Sequence, residues 1–391
     1  MQLKKDSFYS LIATGAPGGT RVMTLFLAGY LFDLAYKETV SNLLFILLSV
    51  NLVCSQSISS LLYNNKYKQQ AVRLAIFSIP LVIFSLFLAL GLSYFSDEKL
   101  SLPFLLSVLG MHFYTFARFY VISVRSLRRA FMAELSIFLI VISYFFVDNS
   151  GNVDAFFYSL TLSYFIAAFI MMVSNSLMGT RFSTIESKSS LLKTVLSLAL
   201  SNVSSSMVLY LIPFYFAIFD VGDKVHEIAL LISIISTILL LPRVYANKEI
   251  SKVSGYNKVE LIDFNKKYNN VSIVSGGLGV VVCVGFAMFK SFTISPFCFL
   301  VLPILVVLTQ LNFVYSMYLS SHGAENLIRN VHLLVIATVA IGLLLLYQFN
   351  KFIELNSPEV LILLIIAISL FIRGGMFRKC FLHSFQERDF D

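Results

Sequence analysis

The sequence predicts an all-α polytopic membrane protein of about twelve transmembrane helices in two six-helix halves. Three observations predict it. Of 391 residues, 58% are hydrophobic and 13% are charged, whereas a soluble domain carries about 25% charged residues. Apolar windows of about 20 residues, long enough to cross a bilayer, recur along the whole chain. Cation-rich and acid-rich links alternate between them. A soluble nucleic-acid binder is excluded despite the net charge of +8. A secreted disulfide scaffold is excluded too, since Cys54, Cys283, Cys298 and Cys380 fall on different spans and read as small apolar filler.

The windows centre on Thr20, Asn51, Ile83, His112, Phe138, Leu162, Met207, Ile234, Val280, Leu308, Val339 and Ile368. The first lacks a small-residue cleavage site, so it is expected to be a retained span rather than a signal peptide. The links are short, as at Asp97-Glu98-Lys99, Asp148 to Asp154 and Phe219 to Lys224, so neighbouring helices run antiparallel. Trp is absent, and interfacial anchoring falls to Tyr.

Orientation follows from the links. With the N-terminus inside, the inner loops collect Lys4, Lys5, Lys66, Lys68, Arg125, Arg128, Arg129, Arg181, Arg243, Lys248, Lys266, Arg378 and others. The outer loops are acidic, with Asp33, Glu38, Asp97, Glu98, Asp148, Asp154, Asp220 and Asp223. Both termini are therefore expected in the cytoplasm. The positive charge then reflects topology and anionic inner-leaflet lipids.

A short repeat suggests the halves. Phe32-Asp33-Leu34-Ala35-Tyr36-Lys37 and Phe219-Asp220-Val221-Gly222-Asp223-Lys224 share a Phe-Asp-x-x-x-Lys pattern after the first and seventh spans. Parallel repeats are one transporter plan. The expected division is 1–178 for the N-terminal half, a polar linker at 179–190, and 191–391 for the C-terminal half.

The candidate site residues are polar groups inside apolar spans. Arg21 is the most informative, because it lies near the middle of the first span, where an arginine costs roughly 2.5–3.5 kcal/mol and snorkelling is difficult. It is expected to meet a wet cavity or an acid. Pro17, Gly18 and Gly19 precede it, and a missing backbone donor beside two glycines makes a candidate hinge. Arg118 and Arg373 lie in the fourth and last spans, within snorkelling reach of an inner end. Glu134, early in the fifth span, is either a structural ion pair near Arg128 and Arg129 or an ion-coupling carboxylate. Polar stripes run along the second span (Asn42, Ser49, Gln56, Ser60), the seventh (Asn202, Ser206) and the tenth (Thr309, Asn312, Ser316, Ser320). These stripes read either as interhelical hydrogen bonding or as a hydrophilic lumen. Asn51, Gln56, Asn202 and Asn312 are the uncharged lumen candidates. His112 and His332 read as hydrogen-bonded structure; without a second ligand at metal spacing, no metal site is expected. Walker loops, dinucleotide fingerprints and nucleophile elbows are absent from the sequence, so neither a cofactor nor an enzyme is expected.

In this pattern the chain resembles the Wzx-type O-antigen/capsule polysaccharide flippases of the multidrug/oligosaccharidyl-lipid/polysaccharide (MOP) exporter superfamily. The likeness is global: the span count, the halves and the Lys-rich inner loops. It extends to the start Lys4-Lys5-Asp6-Ser7-Phe8-Tyr9 and to a Gly-containing first helix ending Leu31-Phe32. The resemblance implies transfer of undecaprenyl-pyrophosphate-linked oligosaccharide between the leaflets of a bacterial inner membrane. Transfer would proceed by alternating access through a cationic, polar central cavity. It implies membrane lipids, a polysaccharide polymerase and a chain-length regulator as partners. A first-helix arginine is a feature of the related lipid II flippases, to which Arg21 is similar in kind, with Arg118 and Arg373 as further cations. Lipid II flippases usually have more spans, which favours the O-antigen or capsule branch. The rivals are an ion-coupled drug antiporter of the same superfamily, which would normally place carboxylates in its cavity helices, and an integral-membrane polysaccharide polymerase, which would carry a large outer loop. A major-facilitator transporter fits less well, since Asn64-Asn65-Lys66-Tyr67-Lys68 lacks that group's Gly/Asp/Arg-rich loop.

Overall fold

A computed structural model of the chain describes residues 2–63, 70–95, 100–124, 126–147, 151–173, 188–219, 224–238, 242, 245, 256–289, 293–321, 324–352 and 358–388. Among these residues the structure is helical without strands. All the window centres read from the sequence fall within helical segments. Among the described residues eight helices are long and apolar enough to span a bilayer, or up to nine if a bent pair counts as one span. The protein is a multi-pass membrane protein. The chain divides into two compact units, Met1–Asn202 and Val203–Asp391.

In the first unit, α1 (Gln2–Leu31) continues through Pro17. The next helix, α2 (Leu34–Val53), starts at Asp33, whose side chain accepts a 2.8 Å hydrogen bond from the Tyr36 amide and satisfies one of the orphan donors of a helix start. That aspartate belongs to the first Phe-Asp-x-x-x-Lys copy; residues 220–223 of the second copy lie outside the described residues. A break at Cys54 leads into α3 (Ser55–Ser59). Next come α4 (Ala71–Phe77) and α5 (Ile79–Phe95), bent by 40° where Pro80 removes a backbone donor. The helix α6 (Leu102–Ser123) is capped by Ser101 and has Pro103 in its first turn, where proline is tolerated. It is followed by α7 (Leu127–Val147), α8 (Val153–Met172) and α9 (Lys188–Asn202). α8 packs on both α6 and α7, and α1 packs on α7. Gly110 permits the close approach of α6 to α8, since a Cβ there would lie 3.3 Å from the Tyr164 Cβ.

The division falls after Asn202, beyond the linker at 179–190 that the sequence suggested, most of which (179–187) lies outside the described residues. Asn202 donates to the Leu52 carbonyl and to Ser57 Oγ, both at 2.9 Å, and so ties α9 to the break after α2.

In the second unit a π-turn at Val203–Met207 leads to α10 (Val208–Tyr210), α11 (Ile212–Ile218) and α12 (Val225–Ile238). Long helices follow: α13 (Lys258–Phe289), α14 (Pro296–Gln310), α15 (Phe313–Ser321), α16 (Glu325–Phe352) and α17 (Pro358–Arg388). α14 packs against α13 and α17, and α16 packs along α17. Together α14 and α15 make one span, broken at Leu311 and Asn312.

Large apolar side chains such as Phe87, Leu139, Val274 and Phe371 are exposed on the outer helix faces. In water such surface would be unfavourable; in hydrocarbon it is the expected exterior.

Candidate functional site

Arg21 is half-buried on α1, and its Nε donates to the Pro17 carbonyl at 3.4 Å. The sequence-predicted hinge and the sequence-predicted cation therefore share one helical turn. Gly18 is buried, while a Cβ on Gly19 would meet nothing within 4 Å.

Glu134 and Arg118 come together. Arg118 Nε of α6 lies 2.8 Å from Glu134 Oε1 of α7, and the Tyr114 hydroxyl donates to the same carboxylate at 2.5 Å. Glu134 is buried and Arg118 is mostly so. The Tyr114 ring stacks on Tyr164 of α8 at 5.3 Å, and Arg21 lies within electrostatic range of Tyr164. Four helices thus converge on one buried polar cluster. Arg128 and Arg129, the partners suggested by spacing on α7 itself, are not the groups that bind Glu134.

Asn51 and Asn202, two of the uncharged candidates of the first unit, are engaged in hydrogen bonds at the break in the second span. Asn51 Oδ1 accepts from Thr115 Oγ1 of α6 at 2.8 Å, and Asn202 bonds across the break. Gln56 sits half-buried on α3 beside them. His112 of α6 bridges this break to the bend in the third span. Its Nδ1 lies 2.8 Å from Ser55 Oγ, and its Nε2 lies 3.2 Å from Ser78 Oγ. Ser78 donates its own proton to the Ala75 carbonyl at 2.6 Å, so it accepts from Nε2–H, and Nδ1 accepts from Ser55.

In the second unit, Asn312 is the residue that breaks the tenth span. Its φ of 57° lies in the left-handed region, which asparagine tolerates better than other side-chain-bearing residues. Asn312 Nδ2 donates to the Gly374 carbonyl at 2.8 Å, and its Oδ1 accepts from Asn265 Nδ2 at 2.9 Å and Asn269 Nδ2 at 3.4 Å. The Asn312 amide N–H is taken by Asn269 Oδ1 at 3.3 Å. Arg373 is buried, with Nη1 donating to the Thr309 carbonyl at 3.1 Å and the guanidinium 5.4 Å from the Phe377 ring. It therefore caps the C-terminal end of α14, where free carbonyls and the helix dipole favour a cation. The snorkelling position expected from its distance to the inner end is not the one observed. The sequence reading missed Asn265, Asn269, Tyr268 and Gln310, which complete this cluster; Tyr268 donates to Gln310 Oε1 at 2.6 Å. Gln310 stands out in an apolar span, whereas Asn265, Tyr268 and Asn269 lie in the polar stretch Lys258 to Asn270, which gives them no contrast. His332 bonds Ser204 of the π-turn through Nδ1. Among the described residues no group of His, Cys, Asp and Glu could hold a metal ion.

No family model and no curated protein matches the sequence. Solved structures do match. A MOP superfamily transporter from Pyrococcus furiosus, described as having a binding pocket of reverse polarity, aligns with a TM-score of 0.58 and 12% identity over 96% of this chain and 94% of its own. The straight conformation of a MATE transporter aligns with a TM-score of 0.59 and 13% identity over 97% and 95%. A eukaryotic MATE transporter aligns with a TM-score of 0.55 and 12% identity over 96% and 95%. The fold is that of the MOP superfamily transporters. In this MOP fold the two fully buried carboxylates among the described residues each hold a cation: Glu134 holds Arg118, and Glu359 holds Lys224 at 3.0 Å. Arg373, equally buried, has no carboxylate partner among the described residues.

Proposed function

We propose that the protein is a flippase of about twelve spans, with both termini cytoplasmic, in a bacterial inner membrane. It would move an undecaprenyl-pyrophosphate-linked oligosaccharide, an O-antigen or capsule repeat unit, from the inner to the outer leaflet. The observation that carries this reading is the sign of the uncompensated buried charge. Among the described residues both buried carboxylates hold a cation, and the buried cation without a carboxylate partner is the Arg373 guanidinium. A pyrophosphate needs cationic partners, and arginine offers paired donors to its oxygens. Arg21, half-buried on α1, supplies a second cation within a span. The hydrogen-bonding side chains of Asn51, Gln56, Asn202 and Asn312 suit a glycan. The transporter fold supports a carrier over the polymerase reading.

An ion-coupled drug antiporter is the second reading. It is favoured by the likeness to multidrug resistance MATE transporters, one of which aligns with a TM-score of 0.57. A cationic drug would need a carboxylate free to receive it, and Glu134 already holds Arg118.

The test is a strain lacking the gene. Undecaprenyl-pyrophosphate-linked sugars are extracted and surface polysaccharide is inspected by gel. Single repeat units trapped on the cytoplasmic side, with surface polymer lost, are expected. Unchanged polymer together with new sensitivity to cationic dyes would replace the flippase by the antiporter.

A further inference from the structure

Beside the break at Asn312 lies a pocket of about 320 Å³ whose lining includes Asn265, Asn269, Asn312, Tyr315, Lys266 and Arg378. Among the described residues the lining holds two cations and no carboxylate. Asp263, one turn before Lys266 on α13, is engaged by Lys267 at 2.7 Å. The pocket is therefore electropositive, and its floor is polar.

The floor has a defined polarity. The Gly374 carbonyl fixes the Asn312 amide, because only Nδ2 can donate to it. Asn312 Oδ1 then faces α13 and must receive Nδ2 of Asn265. That leaves Asn265 Oδ1, on a residue 4% exposed, without a hydrogen-bond partner. A buried acceptor without a partner is destabilising. It calls for a donor, and a phosphate oxygen at neutral pH offers none; a hydroxyl does. The pocket thus asks for two things in one ligand, an anion for Lys266 and Arg378 and a hydroxyl for Asn265.

Its surroundings indicate where that ligand comes from. Val259, Ile262, Lys266, Asn270 and Ile273 follow one face of α13, and the apolar members are 75%, 41% and 58% exposed. Phe371, Arg378 and Leu382 follow one face of α17, with the apolar pair 64% and 39% exposed. Each cation is therefore flanked along its helix by exposed apolar side chains. Basic pockets between transmembrane helices suit lipid head groups.

We propose that this pocket binds the head group of a phosphate-bearing lipid whose head also carries hydroxyls. Lys266 and Arg378 take the phosphate, and Asn265 Oδ1 accepts from a hydroxyl. The same chemistry is present in phosphatidylglycerol and in a polyprenyl-diphosphate sugar, and the site stands whether or not the protein carries the latter.

The test uses the delipidated full chain in detergent, with bound lipid measured by native mass spectrometry. The probes are phosphatidylglycerol, phosphatidic acid, phosphatidylcholine, a polyprenyl-diphosphate disaccharide and inorganic phosphate. Phosphatidylglycerol is expected to bind more tightly than phosphatidic acid, which has the phosphate and lacks the head-group hydroxyls. Lys266→Ala with Arg378→Ala is expected to weaken phosphatidylglycerol at least tenfold, while Lys193→Ala, on an exposed side chain outside the lining, leaves it unchanged. Both sets of substitutions fall on exposed side chains, and a melting curve checks that the fold is kept. Displacement of phosphatidylglycerol by the diphosphate disaccharide would identify the carried lipid as the occupant; its failure to displace would identify a resident phospholipid. Equal binding by the double variant, binding no tighter than phosphatidylcholine, or saturation by inorganic phosphate alone would each overturn the proposal.

Discussion

Arg118 and Glu134 form a buried ion pair at 2.8 Å between adjacent spans, and Tyr114 donates to the same carboxylate. Removing one partner strands the other charge in a low-dielectric interior, which typically costs about 3–5 kcal/mol. Glu134→Gln is therefore expected to lower the melting temperature of the purified protein sharply. Replacing both partners together, as Arg118→Met with Glu134→Leu, is expected to recover most of that loss. A Glu134→Gln variant as stable as the parent would show that the pair contributes nothing.

The left-handed backbone of Asn312 makes a second, separable expectation. Asn312→Gly and Asn312→Ala both lose the side-chain bonds to Asn265, Asn269 and Gly374. Only alanine also bears the left-handed penalty of roughly 1–2 kcal/mol. Chemical or thermal unfolding should rank the parent above the glycine variant and the glycine variant above the alanine one. Equal stability of the two variants would contradict the positive φ.

Helix packing supplies a third. A Cβ on Gly342 of α16 would lie 2.7 Å from Ile365 Cγ2 of α17. Gly342→Ala is expected to destabilise by about 1–3 kcal/mol through overpacking. In a double-mutant cycle with Ile365→Ala, which removes that methyl, the two changes should cost less together than their sum. Strict additivity would mean the helices do not meet there.

Transport offers a fourth, which rests on the proposed function. Arg21→Ala is expected to abolish surface polymer while the protein still inserts and accumulates. Arg21→Lys should retain part of the activity if charge alone matters. Full activity of Arg21→Ala would remove Arg21 from the site.

The helices themselves were legible, because apolar runs in a membrane protein are read directly from composition and every window centre fell in a helix. The polar stripes were legible as stripes, and Asn312 was singled out on that ground. Its break was not: Leu311-Asn312-Phe313 contains neither Gly nor Pro, and a single asparagine in an apolar run carries no mark of its φ. The partner of Glu134 was misassigned for a related reason. Spacing on one helix ranks its own neighbours, Arg128 and Arg129, whereas Arg118 arrives from the next helix. Arg373 likewise sits near an inner end by count, yet a carbonyl freed by the break at Asn312 holds it inside.

His112 joins two irregular places in the first unit. One ring nitrogen receives the Ser55 proton at the start of α3, just past the Cys54 break, and the other gives its proton to Ser78 at the 40° bend between α4 and α5. The imidazole is rigid and its two nitrogens point apart, so it acts as a tie rod of fixed length. Straightening one span while the other stays bent would tear one of its two hydrogen bonds and leave a buried polar atom bare. The breaks in the second and third spans are thereby held at one spacing by α6, which carries the rod.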